Sequence, residues 1–316
     1  MSAEFVVLVP CFLGFFRRTH VNKKQVADLG LDDIYGSVRS GNWTYDKFFD
    51  YAKLAVKDLD GDGIITDADN WGIASDCDYI YACFWISAGI YVVEKDENDI
   101  PYFAVPGNEK FFNIAAKVID EFKSKEGIYL DSQKVKMPSY TGNFHETRTA
   151  FFRNGQALFS IGAIPEMVQL RDMPDDFGIV PFPKYTADQA QYYTRVCGGF
   201  PYVIPTTNEN LELAGAMLEA MACEARNNII PAYYESALKN KYSRDVDTAE
   251  MLDLIMDTRV YDLGDTIWCY PIRVDYTGVN GVFAKGEDTF VSFTEKNTEK
   301  YDNTIKKAVD AILDNN

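Results

Sequence analysis

Histidine is nearly absent from this chain of 316 residues: there are two, His20 and His145. That is too few for a histidine-rich metal centre, and neither lies in a recognisable nucleophile or zinc-protease motif. Each reads as an incidental polar residue rather than a catalyst. The six cysteines (Cys11, Cys77, Cys83, Cys197, Cys223, Cys269) form no CxxC pair, which argues against a zinc ribbon or a dithiol redox motif. They read mostly as small buried residues, and Cys77 and Cys83 are close enough in sequence to bridge. Basic charge is also scarce. With 31 Lys and Arg against 48 Asp and Glu, the formal net charge is −17, which disfavours attraction to phosphate backbones and anionic membranes, so no nucleic-acid partner is expected. The apolar run EFVVLVPCFLGFF is too short to span a bilayer, has no basic residue before it and is followed by Arg17 and Arg18. It does not read as a working signal peptide, and Pro10 stands where a lipobox wants a small residue. No internal repeat of 20 to 50 residues is visible.

What the chain does contain is apolar and aromatic mass. Its 47% hydrophobic content can fill a sizeable core, and its length allows two domains or one large two-lobed unit. The 21 Phe, 20 Tyr and 4 Trp exceed what an average core requires and suggest stacking surfaces. One motif stands out. Between Asp58 and Asp69 the chain reads DLDGDGIITDAD, placing carboxylates at positions one, three, five and twelve and Gly63 at position six, as in a calcium loop. Asp58, Asp60 and Asp62 would supply carboxylates, Ile64 a main-chain carbonyl, Thr66 a hydroxyl or bridging water, and Asp69 the final carboxylate, one methylene shorter than the usual glutamate. The alternative is an Asp- and Gly-rich polar turn that needs no metal.

Hydrophobic period and capping residues predict the elements. Thr44 heads a helix running to about Lys57, WGIAS is a strand, and Asn108 caps a helix that Gly127 stops. A loop follows over 131–142, then a short helix through Phe151 and Phe152, the strand ALFSIG, a helix over 164–172 and the strands FGIVPF and PYVIP. Asn208 is expected to cap the strongest amphipathic helix, with Leu211, Ala214, Leu218 and Met221 inward. Helices over 227–238, 248–256 and 294–313 complete an α/β chain with mainly parallel strand pairing.

The run FFRNGQALFSIGAIPEMVQLRDMPDDFGIVPFPKY, then QYYT, PYVIPTTN and a helix containing LEAM, resembles the extracellular solute-binding proteins, family 1 type, of carbohydrate ABC transporters. Phe152, Gly155, Phe159, Phe177, Gly178, Pro181, Pro183 and Lys184 carry the likeness, and VNKKQVADLGLDDIY, GNWTYDKF, PAYYESALKNKYSRD and EMLDLI are similar to a subgroup of large Gram-positive members. The resemblance implies a periplasmic-binding-protein-like two-lobed α/β fold with an incomplete amino-terminal lobe. Residues 1–21 would be a residual or aberrant segment, 22–195 with 260–316 the second lobe, and 196–259 a part of the first. It also implies an extracellular lipoprotein, a monomer, that passes its ligand to ABC permease subunits.

A sugar offers apolar C–H faces and a rim of hydroxyls, so its cleft needs aromatic plates and planar polar partners. The resemblance puts Asp78, Tyr79, Tyr81 and Trp85 of DCDYIYACFWISAG near such a ligand, although each could equally fill the core. It adds Trp268 and Tyr270, and the backbone of Gly162 and Ala163 where a helix begins at the cleft edge. The expected function is non-catalytic capture of an oligosaccharide or related solute by lobe closure, for ABC-transporter import. A glycoside hydrolase would need two carboxylates at a defined separation, for which no motif speaks. A calcium-dependent carbohydrate-interaction module would generally pair two loops, and one is present. In this setting Ca²⁺ would be structural, stapling a helix-to-strand turn away from the sugar.

Overall fold

The computed structural model describes residues 3–7, 16–133, 143–163, 166, 169–197, 202–205, 207–233, 245–274, 278–286 and 289–313. In chain order the elements are β1 (Ala3–Val7), β2 (Arg17–Asn22), α1 (Lys23–Asp28), α2 (Ile34–Arg39), α3 (Tyr45–Ala55), β3 (Trp71–Ser75), α4 (Cys77–Ser87), β4 (Val93–Lys95), β5 (Pro101–Phe103), α5 (Glu109–Lys123), β6 (Tyr129–Asp131), α6 (Phe144–Arg153) and β7 (Ala157–Ala163). Then come β8 (Phe177–Val180), β9 (Thr194–Arg195), β10 (Tyr202–Pro205), α7 (Leu211–Glu224), α8 (Val246–Asp257), β11 (Arg259–Val260), α9 (Leu263–Thr266), α10 (Val279–Lys285) and α11 (Phe290–Leu313). Two π-helical turns, Ala225–Ile229 and Cys269–Val274, follow α7 and α9.

Five strands make the main sheet, in the order β6-β3-β7-β2-β8. β3 lies parallel to β6 and β7, whereas β2 runs antiparallel to both β7 and β8. The sheet is therefore mixed rather than mainly parallel. β2 reads RRTHVN and is buried at every position, although nothing in its composition announces a strand. It is an inner strand drawn largely from the 1–21 stretch expected to be residual. Its ladder satisfies the backbone, and tertiary contacts, not propensity, decide its state.

The helices follow their sequence more closely. Asn108 caps α5 by accepting from the Phe111 N–H, and Phe111, Ile114, Ala115, Val118 and Ile119 form one buried stripe. Asn143 and Glu146 form a reciprocal capping box at the start of α6. α4 buries nine of its eleven residues and is apolar nearly all round, as a helix enclosed on every side must be. The aromatic surplus goes into this core rather than onto stacking surfaces: Phe49 stacks on Phe84, Tyr81 on Phe283, and Trp85 on the same Phe283 ring.

α7 departs from its expected role. Its cap is Asn210 rather than Asn208, and none of its residues is buried; Leu211, Leu213, Met217 and Met221 are exposed. The inward face expected for Leu211, Ala214, Leu218 and Met221 therefore has no core to enter. α8 behaves in the opposite way: it buries Met251, Leu252 and Ile255 and packs on β8, so it joins the main sheet although it falls within 196–259. Of the helix expected over 164–172, the described residues include no α-helical turn. The expected loop beyond residue 133, and residues 234–238 of the helix expected over 227–238, lie outside the described residues.

Candidate functional site

β3, β6 and β7 run parallel and end together, at Ser75, Asp131 and Ala163, and antiparallel β2 begins at that same edge, with Arg17 opposite Ala163. In open α/β sheets the carboxyl ends of the strands face the ligand crevice. The residues there are charged and buried. Asp76 caps α4 by accepting from the Tyr79 N–H at 3.0 Å and is ion-paired with Arg148, which also pairs with Glu166. Burial pushes the Asp76 carboxyl up, but a hydrogen bond from His145 and the charge of Arg148 hold it below the usual carboxylate range. Arg195 grips Asp265 with two hydrogen bonds, of 2.5 and 2.8 Å, and Arg273 pairs with the same carboxylate. Those two cations outweigh burial and keep Asp265 low. Arg195 and Arg273 each also donate to the Asp78 carbonyl at 3.1 Å, which clamps the first turn of α4.

The expected ligand residues separate in this frame. Asp78 lies at the edge and lines a pocket of about 80 Å³ with Gln133, Val274, Asn280 and Ala284. Tyr79 is close by, but its ring is covered: the Arg17 guanidinium sits 3.3 Å from its centroid, that of Arg148 4.3 Å, and the His145 ring 5.0 Å. Tyr81 and Trp85 are core residues, 4% and 0% exposed, and neither ring presents a face to a cleft. Trp268 is also buried, whereas Tyr270, two residues on, is 76% exposed. Gly162 and Ala163 are strand residues rather than the start of a helix. The Ala163 N–H donates to Glu166 Oε2 at 3.1 Å, and a Cβ on Gly162 would meet the same oxygen at 2.2 Å, so this backbone is already engaged from within.

Sequence reasoning missed Gln133, Asn280 and the arginines 17, 148, 195 and 273. An isolated Arg or Asn in a loop or helix carries no motif. Only the sheet edge brings them together.

The acidic loop lies elsewhere, between α3 and β3. Asp58, Asp60 and Asp69 each place a carboxylate oxygen within 4.8 Å of the others; Asp62 is outside that group. Asp58 accepts from the N–H groups of Gly61 and Gly63, at 2.6 and 2.8 Å, and Asp62 from that of Ile64. Asp69 accepts from Leu59 and Thr66 N–H and from the Thr66 hydroxyl, and these bonds hold its carboxyl low. Gly63 has φ +85°, a turn that Ala could take only with strain. Although a hydrogen bond from the Asp62 N–H works against it, desolvation and then the neighbouring carboxylates push Asp60 up.

A mixed α/β sheet thus gathers charged side chains at its strand ends beside a small pocket, the place where such sheets meet their ligands. The chain belongs to the family of bacterial extracellular solute-binding proteins, whose model matches residues 4–225. Its fold is the periplasmic-binding-protein-like α/β fold of several solved structures. UgpB from Mycobacterium tuberculosis, in complex with glycerophosphocholine, superposes with TM-score 0.58 at 17% identity, over 96% of this chain and 69% of that one. RafE from Streptococcus pneumoniae gives TM-score 0.56 at 14% identity, over 93% and 71%. MalE from Bdellovibrio bacteriovorus, bound to maltotriose, gives 0.54 at 15%, over 97% and 72%. No curated protein matches this chain. No helix of the described residues is long and apolar enough to cross a membrane.

Proposed function

We propose that this protein captures an oligosaccharide or related neutral solute at the carboxyl edge of its main sheet, without catalysis, and passes it to ABC permease subunits as a monomer at the outer face of the membrane. The observation that carries the reading is the pocket beside Asp78, at the strand ends of a solute-binding chain. Several similar structures hold sugars, among them maltotriose and, for RafE, raffinose. The main sheet with its helices, α8 included, acts as one lobe, and the stretch with β10 and α7 belongs to the other. Buried ion pairs such as Arg195–Asp265 neutralise charges that hydrolytic chemistry would need to expose, which favours holding over cleaving. Maltotriose and raffinose titrated against the protein should change tryptophan fluorescence reversibly and release no reducing ends. Product formation would establish a hydrolase instead.

The acidic loop, in this reading, holds a structural Ca²⁺ between α3 and β3 through Asp58, Asp60 and Asp69. Three carboxylates crowded into one turn repel one another unless a cation joins them. The site lies on a connection within the main body, so its role is to stiffen rather than to read the sugar.

A further inference from the structure

Asn280, in the first turn of α10, is 2% exposed, and its two amide ends have different fates. Nδ2 donates to the Cys77 carbonyl at 3.3 Å. A carbonyl can only accept, so this bond fixes which way the amide is turned and assigns Oδ1 as the other end. Oδ1 is buried and has no hydrogen-bond partner among the described residues. An orphaned buried acceptor costs about 1–3 kcal/mol, and the residue lines the pocket beside Asp78.

Across that pocket Gln133 arranges the second acceptor. Its Nε2 donates to Asp78 Oδ2 at 3.0 Å while its Oε1 accepts from the Cys77 thiol at 3.2 Å. Gln133 thus orients the Asp78 carboxylate and leaves Oδ1, which accepts from no described residue. Val274 and Ala284 supply an aliphatic wall. A water needs roughly 10–15 Å³ of such space, so about 80 Å³ admits one polyol edge rather than a whole oligosaccharide.

The complement of two acceptors and an aliphatic wall is a pair of donors on a small carbon frame. An anion would be repelled by the carboxylate. A bare ammonium would add a third cation beside Arg195 and Arg273, which both bond the Asp78 carbonyl and share the single carboxylate of Asp265. Neutral hydroxyls satisfy every group. We propose that Asn280 Oδ1 and Asp78 Oδ1 form a hydroxyl-reading subsite that accepts one end of a neutral sugar or polyol, with Gln133 as the residue that positions Asp78. This rests on the solute-binding reading above and names the chemistry of its ligand.

The test is calorimetry on the full chain with maltotriose, raffinose and mannitol, and with glycerophosphocholine as the charged comparison. Asn280→Ala and Asp78→Ala are expected each to weaken binding of whichever neutral compound binds by tenfold or more. Thermal melting serves as the folding control. Because Asn280→Ala also removes the bond to the Cys77 carbonyl, a terminally deoxygenated form of the bound sugar separates recognition from structure: it should bind the wild type more weakly, while in the Asn280→Ala protein the missing hydroxyl should make little difference. Unchanged affinity in both variants would overturn the subsite and leave the solute-binding reading standing. A preference for glycerophosphocholine would likewise overturn the neutral-hydroxyl assignment. If no compound binds, the solute-binding reading falls and the subsite with it.

Discussion

Asp262 is one of the buried residues that tie stability to pH. It is fully buried and accepts from the N–H groups of Val92, Val93 and Gly264, yet burial pushes its carboxyl up to about 7 from the usual 3.8. A raised carboxyl favours the fold while protonated, so its contribution is complete below about pH 4 and is lost as pH rises through about 7. Three units correspond to about 4 kcal/mol. Asp76 and Asp265 act in the opposite sense: their lowered carboxyls stabilise the fold above the usual range and lose that effect in acid. Buried His20, which desolvation keeps neutral well below its usual 6.5, loses stability as pH falls below that value and so opposes Asp262 between about pH 4 and 6.5. Melting temperature should therefore change little across that window, and Asp262→Asn should turn it into a rise with pH. Arg148 offers a second check. Its removal leaves Asp76 and Glu166 partly or wholly buried without their cation, and Arg148→Ala is expected to cost about 3–5 kcal/mol by urea denaturation.

At the scale of elements, α4 and α7 make a pair of opposites. Both are rich in apolar residues, but α4 is enclosed and α7 has no buried residue. Phe84→Ala in α4 should cost about 3–5 kcal/mol, whereas Met217→Lys in α7 should change stability by no more than about 0.5 kcal/mol. Amide exchange should be fastest through 211–224 and slowest through β3 and α4, since local opening follows the loss of buried contacts. The loop between α3 and β3 is the element that metal would govern. Millimolar Ca²⁺ should raise the melting temperature by several degrees and EDTA should reverse it, because a ligand that binds only the folded loop stabilises the fold by mass action. An unchanged melting curve would make the loop a plain acidic turn.

For the molecule as a whole, a bound sugar should act in the same way. At a hundredfold excess over its dissociation constant it adds about 2.7 kcal/mol to folding, read as an upward shift of the thermal transition. Much of this architecture was legible beforehand. α3, α5, α6, β3, β7 and β8 follow from spacing and caps such as Asn108, because local periodicity and end-capping act within a few residues. β2 was not legible, because a polar strand becomes one only when neighbours on both sides complete its ladder. Of the site, Asp78 was named from resemblance, but Gln133 and Asn280 both lie more than fifty residues further along the chain and carry no motif.

Taken alone, the order of residues determined the α/β class and the acidic loop through composition and short-range pattern, and the family through the resemblance of its motifs; it did not determine which apolar runs are buried, as exposed α7 shows. Only the tertiary structure decided which aromatics are core and which are surface. Tyr81, Trp85 and Trp268 went inward, and Tyr270 stayed out. It also decided that Arg195, Arg273 and Gln133 converge on Asp78, because hydrogen bonds between distant segments form only after the sheet has aligned its strand ends.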